Sequence, residues 1–401
     1  MRVIQADRNN IAQAEMISAV AFFGQTEFHL GGEQFERAYA KKQESAWGRT
    51  YLSLDDAGEP VSTIACNDYT VNFDGNEVPM SGVGNVATCP HRRNRGGVRA
   101  CFARALSDMA ERGQYLSTLH PFSNAYYQKF GYASVSPVVR YRMPTRYMPG
   151  MTAGTYRLFE KGSDVEELRA VWNRFAAQYN LMTVRTSDEM AKYRDYDPYH
   201  SDRQLYVYYG ADGSPRAYAS IQKEIVNDRP SIRMMLEDFA FADAEGLKGI
   251  LALAGKFSAT YEYVTFDLPQ DFPVELYLPE IVLGHPTIEK YYCGMARVTA
   301  AEPVLKMAAY RGSGRAVIRI EDAMLAQNDG TFAVEFRDGR CIQVERTGEK
   351  PDINLNIGDF SALILGMYEL DDFLTARAIC ADNRDLRGVF YRKKCLLREY
   401  F

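Results

Sequence analysis

The stretch Pro90-His-Arg-Arg-Asn-Arg-Gly-Gly-Val98 puts several basic side chains and two adjacent glycines between a predicted strand and a predicted helix. Residues 80–89 before it read as extended chain. After it, a helical period is kept by the apolar residues Val98, Cys101, Phe102, Ala105, Leu106 and Met109. A glycine-containing helix start flanked by arginines binds anions such as pyrophosphate. The alternative is a solvated basic loop, but the position between strand and helix favours a phosphate-bearing ligand.

Upstream of this stretch, the pattern predicts a helix and then an antiparallel meander. Asn9 and Asn10 can cap a helix over residues 11–22, and β-rich runs follow at residues 51–54, 61–69 and 70–73. Downstream, Gly113 ends the helix and residues 115–119 read as a short strand, followed by several aromatic residues. The first third is therefore predicted to be one α/β unit.

A repeated turn predicts a second unit of the same kind. Gly58 and Pro60 have counterparts in Gly213 and Pro215 at the same offset, again followed by extended chain (231–241) and a helical pattern (244–254). Two similar hairpins could arise by chance, but the matching order of the flanking elements favours duplication. In the second copy Asp243 and Glu245 replace the arginines, and acids repel a pyrophosphate. We therefore expect one active site per chain.

A third, α+β domain is predicted after the repeat. It has strands at residues 315–320, 331–336 and 341–346, then helical stretches at 358–368 and 370–376. The expected domains are residues 1–150 (catalytic), 151–293 (degenerate copy) and 294–401.

Composition excludes several classes of function. The 47 basic and 52 acidic side chains give a net charge of -5, which opposes general binding to nucleic acid or anionic membrane. The longest apolar runs are shorter than the ~20 residues of a membrane helix, and the polar start resembles no signal peptide, so a cytoplasmic protein is expected. The seven cysteines form no C-x-x-C pair and the five histidines are scattered, so no metal site is predicted. The stretch also lacks the P-loop and G-x-G-x-x-G patterns.

Arg93-Asn-Arg-Gly-Gly-Val98 resembles the R/Q-x-x-G-x-G/A signature of the GNAT-superfamily N-acetyltransferases, from which it differs at Val98. Tyr127-Gln-Lys-Phe-Gly-Tyr132, the duplication, the smaller third domain and the final Tyr-Phe extend the likeness. Together they make the whole chain similar to the Eis (enhanced intracellular survival) acetyltransferases. The resemblance implies two tandem GNAT-type α/β units, a sterol carrier protein-like α+β domain and a homo-hexamer.

The resemblance also implies roles for individual residues. Tyr127 would be the general acid that protonates the leaving thiolate, with Tyr126 and Tyr132 as competing tyrosines. The α-carboxylate of Phe401 would be the base, whereas most chain ends are simply frayed. Contacts with acetyl-CoA would come from Val86, Ala87, Thr88, Arg93, Asn94, Arg95, Gly96, Gly97, Val98, Arg99, Phe122 and Ser123.

The expected activity is direct transfer of an acetyl group from acetyl-CoA, a co-substrate, to a small-molecule amine, with no metal and no nucleic-acid partner. The resemblance points to aminoglycoside amines. Protein lysines and polyamines stay open as acceptors. The rival classes are a CoA-binding regulator without catalysis and a lipid-carrying or nucleic-acid-binding protein.

Overall fold

The computed structural model describes residues 1–45, 48–150, 153–226, 229–376 and 384–400. The chain forms two compact units. The first unit comprises Met1–Val135, Gly294–Lys393 and Glu399–Phe401, and the second comprises Ser136–Cys293 and Lys394–Arg398. Among the described residues, no helix has the length and apolar character needed to cross a membrane.

The first unit begins with the predicted meander and helix. Its elements in chain order are β1 (Arg2–Gln5), α1 (Ile11–Phe22), α2 (Gly32–Ser45), β2 (Gly48–Leu54), β3 (Pro60–Phe73), β4 (Asn76–Thr88), α3 (Gly97–Glu111), β5 (Leu116–Leu119) and α4 (Asn124–Gln128). Strands β1 to β4 pair antiparallel in sequence order, and β5 joins β4 in parallel. The sequence analysis did not predict β1, which is short, or α2, which is mostly polar.

Alternating side chains of β2 divide the first unit's core between the two faces of its sheet. Tyr51 packs in the cluster that includes α3. Leu52 and Leu54 pack on the opposite face with α1, in a cluster that also includes Ala87 of β4. This period of two is the one expected for a strand covered by helices on both faces. It places α1 and α3 on opposite sides of the end of β4.

From β7 onward the second unit repeats the main order of elements, which is strand, helix, three-stranded meander, helix and strand, but with one helix before the meander instead of two. Its helices and strands are β6 (Ala133–Pro144), β7 (Thr155–Leu158), α5 (Val165–Ala176), β8 (Arg203–Tyr209), β9 (Pro215–Val226), β10 (Arg229–Phe241), α6 (Ala244–Lys256) and β11 (Tyr263–Pro269). Strands β8, β9 and β10 form a meander, and β11 joins β10 in parallel after α6. The two turn glycines have the same left-handed backbone, with φ of 82° at Gly58 and 77° at Gly213. The predicted repeat is therefore present in the backbone.

The rest of the chain adds a small sheet to the first unit. The elements of this part of the chain are β12 (Thr287–Val298), α7 (Ala301–Met307), β13 (Gly314–Glu321), β14 (Gly330–Arg337), β15 (Arg340–Arg346), β16 (Ile353–Asn356), α8 (Ile357–Ile364) and α9 (Leu370–Ala376). The small sheet consists of β13 to β16. The strand order is β15-β14-β13-β16, of which β16 was not predicted. Fully buried Arg297 on β12 donates to Asp322 at 2.5 Å and to the carbonyl of Phe130, so it ties this part to the end of α4.

Candidate active site

Strands β4 and β5 separate and leave one edge of β4 without a partner. The parallel pairing runs from Met80 opposite Leu116 to Val83 opposite Leu119. Beyond it β4 continues to Thr88, through a register shift against β3 and a positive φ of 48° at Asn85. Over residues 84–88 no described strand pairs with this edge. The predicted pantetheine-binding residues Val86, Ala87 and Thr88 therefore lie where an extended ligand can add to the sheet.

The loop after β4 ends in an open helix N-terminus. Asn94 and Gly96 have φ of 64° and 81°, which turn the chain into α3. The first helical bond is from the N–H of Ala100 to the carbonyl of Gly96 at 3.0 Å. Within the described chain, the N–H groups of Gly97, Val98 and Arg99 thus have no backbone acceptor, and the cap residue contributes no side-chain acceptor. These N–H groups suit an anion.

Gly97 lets α3 begin directly above the strands. A Cβ atom there would collide with Oγ of Ser62 and lie 2.8 Å from Oγ of Ser53. Ser62 Oγ is itself 2.8 Å from Oγ1 of Thr88, at the end of β4. The glycine therefore brings the helix N-terminus close to the open edge of β4.

The arginines of the loop divide into two groups. Arg92 pairs with Asp55 at 3.3 Å and Glu59 at 3.5 Å, two acids of the β2–β3 turn. The pKa of Asp55 is lowered mainly by the N–H of Glu59, with smaller contributions from Arg92 and Arg95. In the described residues no acid pairs with the exposed side chains of Arg93, Arg95 and Arg99. The pairing of Arg92 was not among the expectations from the sequence, although the two acids of the β2–β3 turn were a signal for it.

Tyr127 is a buried tyrosine whose hydroxyl has no hydrogen-bond partner among the described residues. It is 3% exposed, and its ring centroid lies 5.3 Å from that of Phe122 and 5.2 Å from that of Tyr126. Burial raises its pKa well above the ordinary value, with a small further rise from Tyr126. The hydroxyl of Tyr132, by contrast, is 2.6 Å from Oγ of Ser117. Tyr127 therefore keeps its proton and has it available.

Phe122 and Ser123 follow β5 and begin the short helix α4. Phe122 is 73% exposed, so its ring is open to a ligand. Ser123 caps the helix, because its Oγ accepts the N–H of Tyr126 at 3.4 Å. The capping oxygen can still donate its own proton. Both residues remain candidates for cofactor contact.

The sequence analysis missed a contact between His120 and the end of the chain. Nε2 of His120 is 2.7 Å from the carbonyl oxygen of Glu399, and its ring stacks on Tyr400 with centroids 4.3 Å apart. His120 directly follows β5, so Glu399 and Tyr400 lie at the end of that strand. Phe401 itself lies outside the described residues.

The corresponding helix of the second unit is closed by its own side chain. Asp243 caps α6, since its Oδ1 accepts the N–H of Gly246 at 2.9 Å. The same carboxylate pairs with Arg216 at 2.5 Å. An anion at this helix N-terminus would have to displace the carboxylate of Asp243, whereas among the described residues no side chain caps the start of α3. Across the described residues, no cluster of three or more His, Cys, Asp or Glu side chains could hold a metal.

Residues 3–135 match the family model described as "Acetyltransferase (GNAT) domain". The first unit contains a GNAT acetyltransferase domain. The chain is thus an acyl-CoA-dependent acetyltransferase, and β4, the loop and α4 described above belong to this GNAT domain. Residues 301–394 match the sterol carrier protein domain. The predicted fold class, two tandem GNAT-type units followed by a sterol carrier-like α+β domain, is confirmed.

Solved structures agree with this fold over the whole chain. A probable N-acyltransferase from Enterococcus faecalis superposes with a TM-score of 0.85 at 19% identity, covering 100% of this chain and 99% of its own. A GCN5-related N-acetyltransferase from Anabaena variabilis has a TM-score of 0.83 at 18% identity, covering 100% of both chains. Eis1 from Mycobacterium abscessus has 0.79 at 18%, also covering 100% of both. No curated protein matches the sequence.

Proposed function

We propose that the enzyme is an N-acetyltransferase of the Eis type, which transfers the acetyl group of acetyl-CoA directly to an amine. The observation that carries the proposal is Tyr127, a buried tyrosine with an unused hydroxyl in the aromatic cluster that follows β5. The likeness to Eis1 supports the family only at the level of the fold, because the identity is 18%.

The first unit offers separate groups for separate parts of acetyl-CoA. The N–H groups at the start of α3 and the side chains of Arg93, Arg95 and Arg99 would hold the pyrophosphate, with Asn94, Gly96, Gly97 and Val98 shaping the loop. The open edge of β4 at Val86, Ala87 and Thr88 would bind the pantetheine arm, and Phe122 and Ser123 would contact it from the side of β5. Bound acetyl-CoA supplies a thioester as the acyl donor.

Tyr127 would act as the general acid. Departure of the thiolate requires a proton, and a tyrosine with a raised pKa is fully protonated at neutral pH. Its hydroxyl makes no described hydrogen bond that would have to break first. Tyr132 is less suitable, since its hydroxyl is engaged with Ser117.

We assign the role of base to the α-carboxylate of Phe401. An amine acceptor is largely an ammonium ion at neutral pH, so a group must accept its proton before attack. The contacts of His120 with Glu399 and Tyr400 support this assignment, because they bring this part of the chain to the strand that precedes Tyr127. Phe401 is the residue that directly follows Tyr400 in the sequence.

Amines of aminoglycosides are the first acceptor class to test, with polyamines and protein lysines as alternatives. The experiment is thiol release from acetyl-CoA with one amine of each class, and mass spectrometry of the products to count acetyl groups. Thiol release that depends on an aminoglycoside supports the proposal. Thiol release with lysine peptides alone would instead indicate that the acceptors are protein lysines. Saturable acetyl-CoA binding without release on any amine would reduce the protein to a CoA-binding regulator.

The same resemblance supports a homo-hexamer and a cytoplasmic location as proposals. Light scattering of the purified protein would test the assembly, and fractionation of cells would test the location.

A further inference from the structure

The second unit retains the strand geometry that forms the cofactor slot of the first. Parallel pairing of β10 with β11 runs from Arg233 opposite Tyr263 to Leu236 opposite Phe266. Beyond it β10 has a register shift against β9, between Leu236 and Phe239. This repeats the bulge and separation seen on β4. The repeated unit therefore still has a strand edge beyond the parallel ladder.

That edge is occupied by an arginine near the end of the chain. Nη2 of Arg398 donates to the carbonyl of Glu237 at 3.0 Å, and Nη1 donates to the carbonyl of Phe239 at 2.5 Å. Alternate carbonyls of an extended strand point the same way, so one guanidinium can serve both. Glu237 lies in the bulge and Phe239 directly follows it, at the positions that Asn85 and Ala87 have on β4.

Aromatic rings form the rest of the site. The guanidinium carbon of Arg398 lies 5.1 Å from the ring centroid of Phe239 and 6.0 Å from those of Trp172 and Phe175. Such distances allow cation–π attraction to a partly buried cation. A lysine could not reproduce the planar fork that bonds two carbonyls.

The residues before Arg398 are also held by the second unit. Leu396 donates its N–H to the carbonyl of Asn180 at 3.0 Å, and the N–H of Asn180 donates to the carbonyl of Lys394 at 2.8 Å. The N–H of Leu397 donates to Oγ of Ser136 at 2.9 Å. The side chain of Leu396 is 2% exposed within the second unit's core cluster. Hydrogen bonds from backbone N–H groups and the buried side chain of Leu396 thus hold the segment that precedes Arg398.

We infer that the slot beside β10 is a binding site for the chain's own segment 394–398, with Arg398 as the residue that positions the end of the chain. In this role the degenerate unit binds a peptide where its counterpart binds a cofactor. Each residue advances the chain by at most ~3.6 Å, so fixing Arg398 limits how far Glu399 and Tyr400 can move. The effect on turnover rests on the proposed function, whereas the effect on the tail does not.

The test uses hydrogen exchange of the full-length Arg398→Ala enzyme. The amides of Leu396 and Leu397 should exchange at least tenfold faster than in the parent, while Tm and acetyl-CoA affinity stay the same. Guanidinium at about 10 mM, far below a denaturing concentration, should restore protection. Arg398→Lys should behave like the alanine variant. The matched control is Arg392→Ala, since Arg392 is exposed and pairs only with Asp372 at 2.8 Å among the described residues.

Unchanged protection of Leu396 and Leu397 in Arg398→Ala would overturn the inference. So would faster exchange that guanidinium does not reverse and that accompanies a lower Tm, because this indicates general packing. Turnover separates the two proposals. If Arg398→Ala loses turnover and protection together, and guanidinium restores both, the binding site and the base role of Phe401 are both supported. If the tail exchanges faster while turnover is unchanged, the binding site is supported and the base role of Phe401 is rejected.

Discussion

The hydroxyl of Tyr132 lies 2.6 Å from Oγ of Ser117, and both side chains are buried in the first unit. Five residues earlier along the chain, Tyr127 is almost as buried but has no such partner among the described residues. The two tyrosines share a ring contact, with centroids 6.5 Å apart. The hydroxyl of Tyr132 is therefore engaged in the core, whereas the hydroxyl of Tyr127 is available for proton transfer.

This difference gives the first prediction. Tyr127→Phe removes only the proton donor, so turnover should fall by about 10²–10⁴ while acetyl-CoA still binds. Tyr132→Phe should instead lower the free energy of unfolding by about 1 kcal/mol and keep most of the turnover. Steady-state kinetics, calorimetry and urea unfolding measure the three quantities. Equal turnover losses in the two variants would indicate packing and not acid catalysis.

The second prediction concerns the loop before α3. Replacing Arg93 and Arg95 together by glutamate should weaken acetyl-CoA binding more than tenfold, since each charge-assisted hydrogen bond contributes roughly 1.5–3 kcal/mol. Arg92→Gln is the matched control, because Arg92 already pairs with Asp55 and Glu59. Calorimetry on folded protein decides the matter. If the double variant binds acetyl-CoA normally, the pyrophosphate site lies elsewhere.

The third prediction uses the close approach of Gly97 to the strands. Gly97→Ala should destabilise the protein by about 1–3 kcal/mol, the usual cost of overpacking, because its Cβ meets Ser62 Oγ. Adding Ser62→Ala removes the nearest atom and should recover part of the loss. Gly58→Ala is a useful comparison, since a Cβ there meets no atom within 4 Å and only the positive φ opposes it. A Gly97→Ala protein as stable as the parent in urea would refute the close packing.

The fourth prediction is a loss of stability at alkaline pH. Burial raises the pKa values of Tyr51, Tyr127 and Tyr132, and raises that of Cys101 to about 12. A raised pKa means that the fold favours the protonated form. The contribution is complete below the unfolded values of ~8.5 for cysteine and ~10 for tyrosine, and it is lost as pH rises through the folded values. Tm should therefore fall steeply above about pH 10; a flat profile to pH 11 would contradict this.

The fifth prediction concerns the end of the chain. A tag joined to Phe401 converts its carboxylate to a peptide bond and should abolish turnover, whereas a tag before Met1 should not. Acetyl-CoA affinity and Tm should be equal in the two proteins, because neither tag alters the described helices and strands or the loop before α3. Full turnover with an uncleaved C-terminal tag would refute the assignment of the Phe401 carboxylate as the base.

The sequence predicted local features better than distant contacts. Helix α3 followed from the spacing of residues such as Val98, Cys101 and Phe102, and the loop between strand and helix followed from its glycines. The pairing of Arg92 with Asp55 and the stacking of His120 on Tyr400 join residues far apart in the chain, and of the two only the first had a signal in the sequence, the acids of the β2–β3 turn. Strand β1 has only four residues and helix α2 is mostly polar, so neither stands out in the sequence as a core element.

The cap that Asp243 forms on α6 also bears on how many CoA molecules one chain can bind. In the second unit only residues 242–243 separate β10 from α6, whereas residues 89–96 separate β4 from α3. A single reverse substitution at Asp243 would remove the acid but would supply neither the longer loop nor its arginines. We therefore expect the saturating amount of CoA to remain one molecule per chain however the acids of α6 are changed.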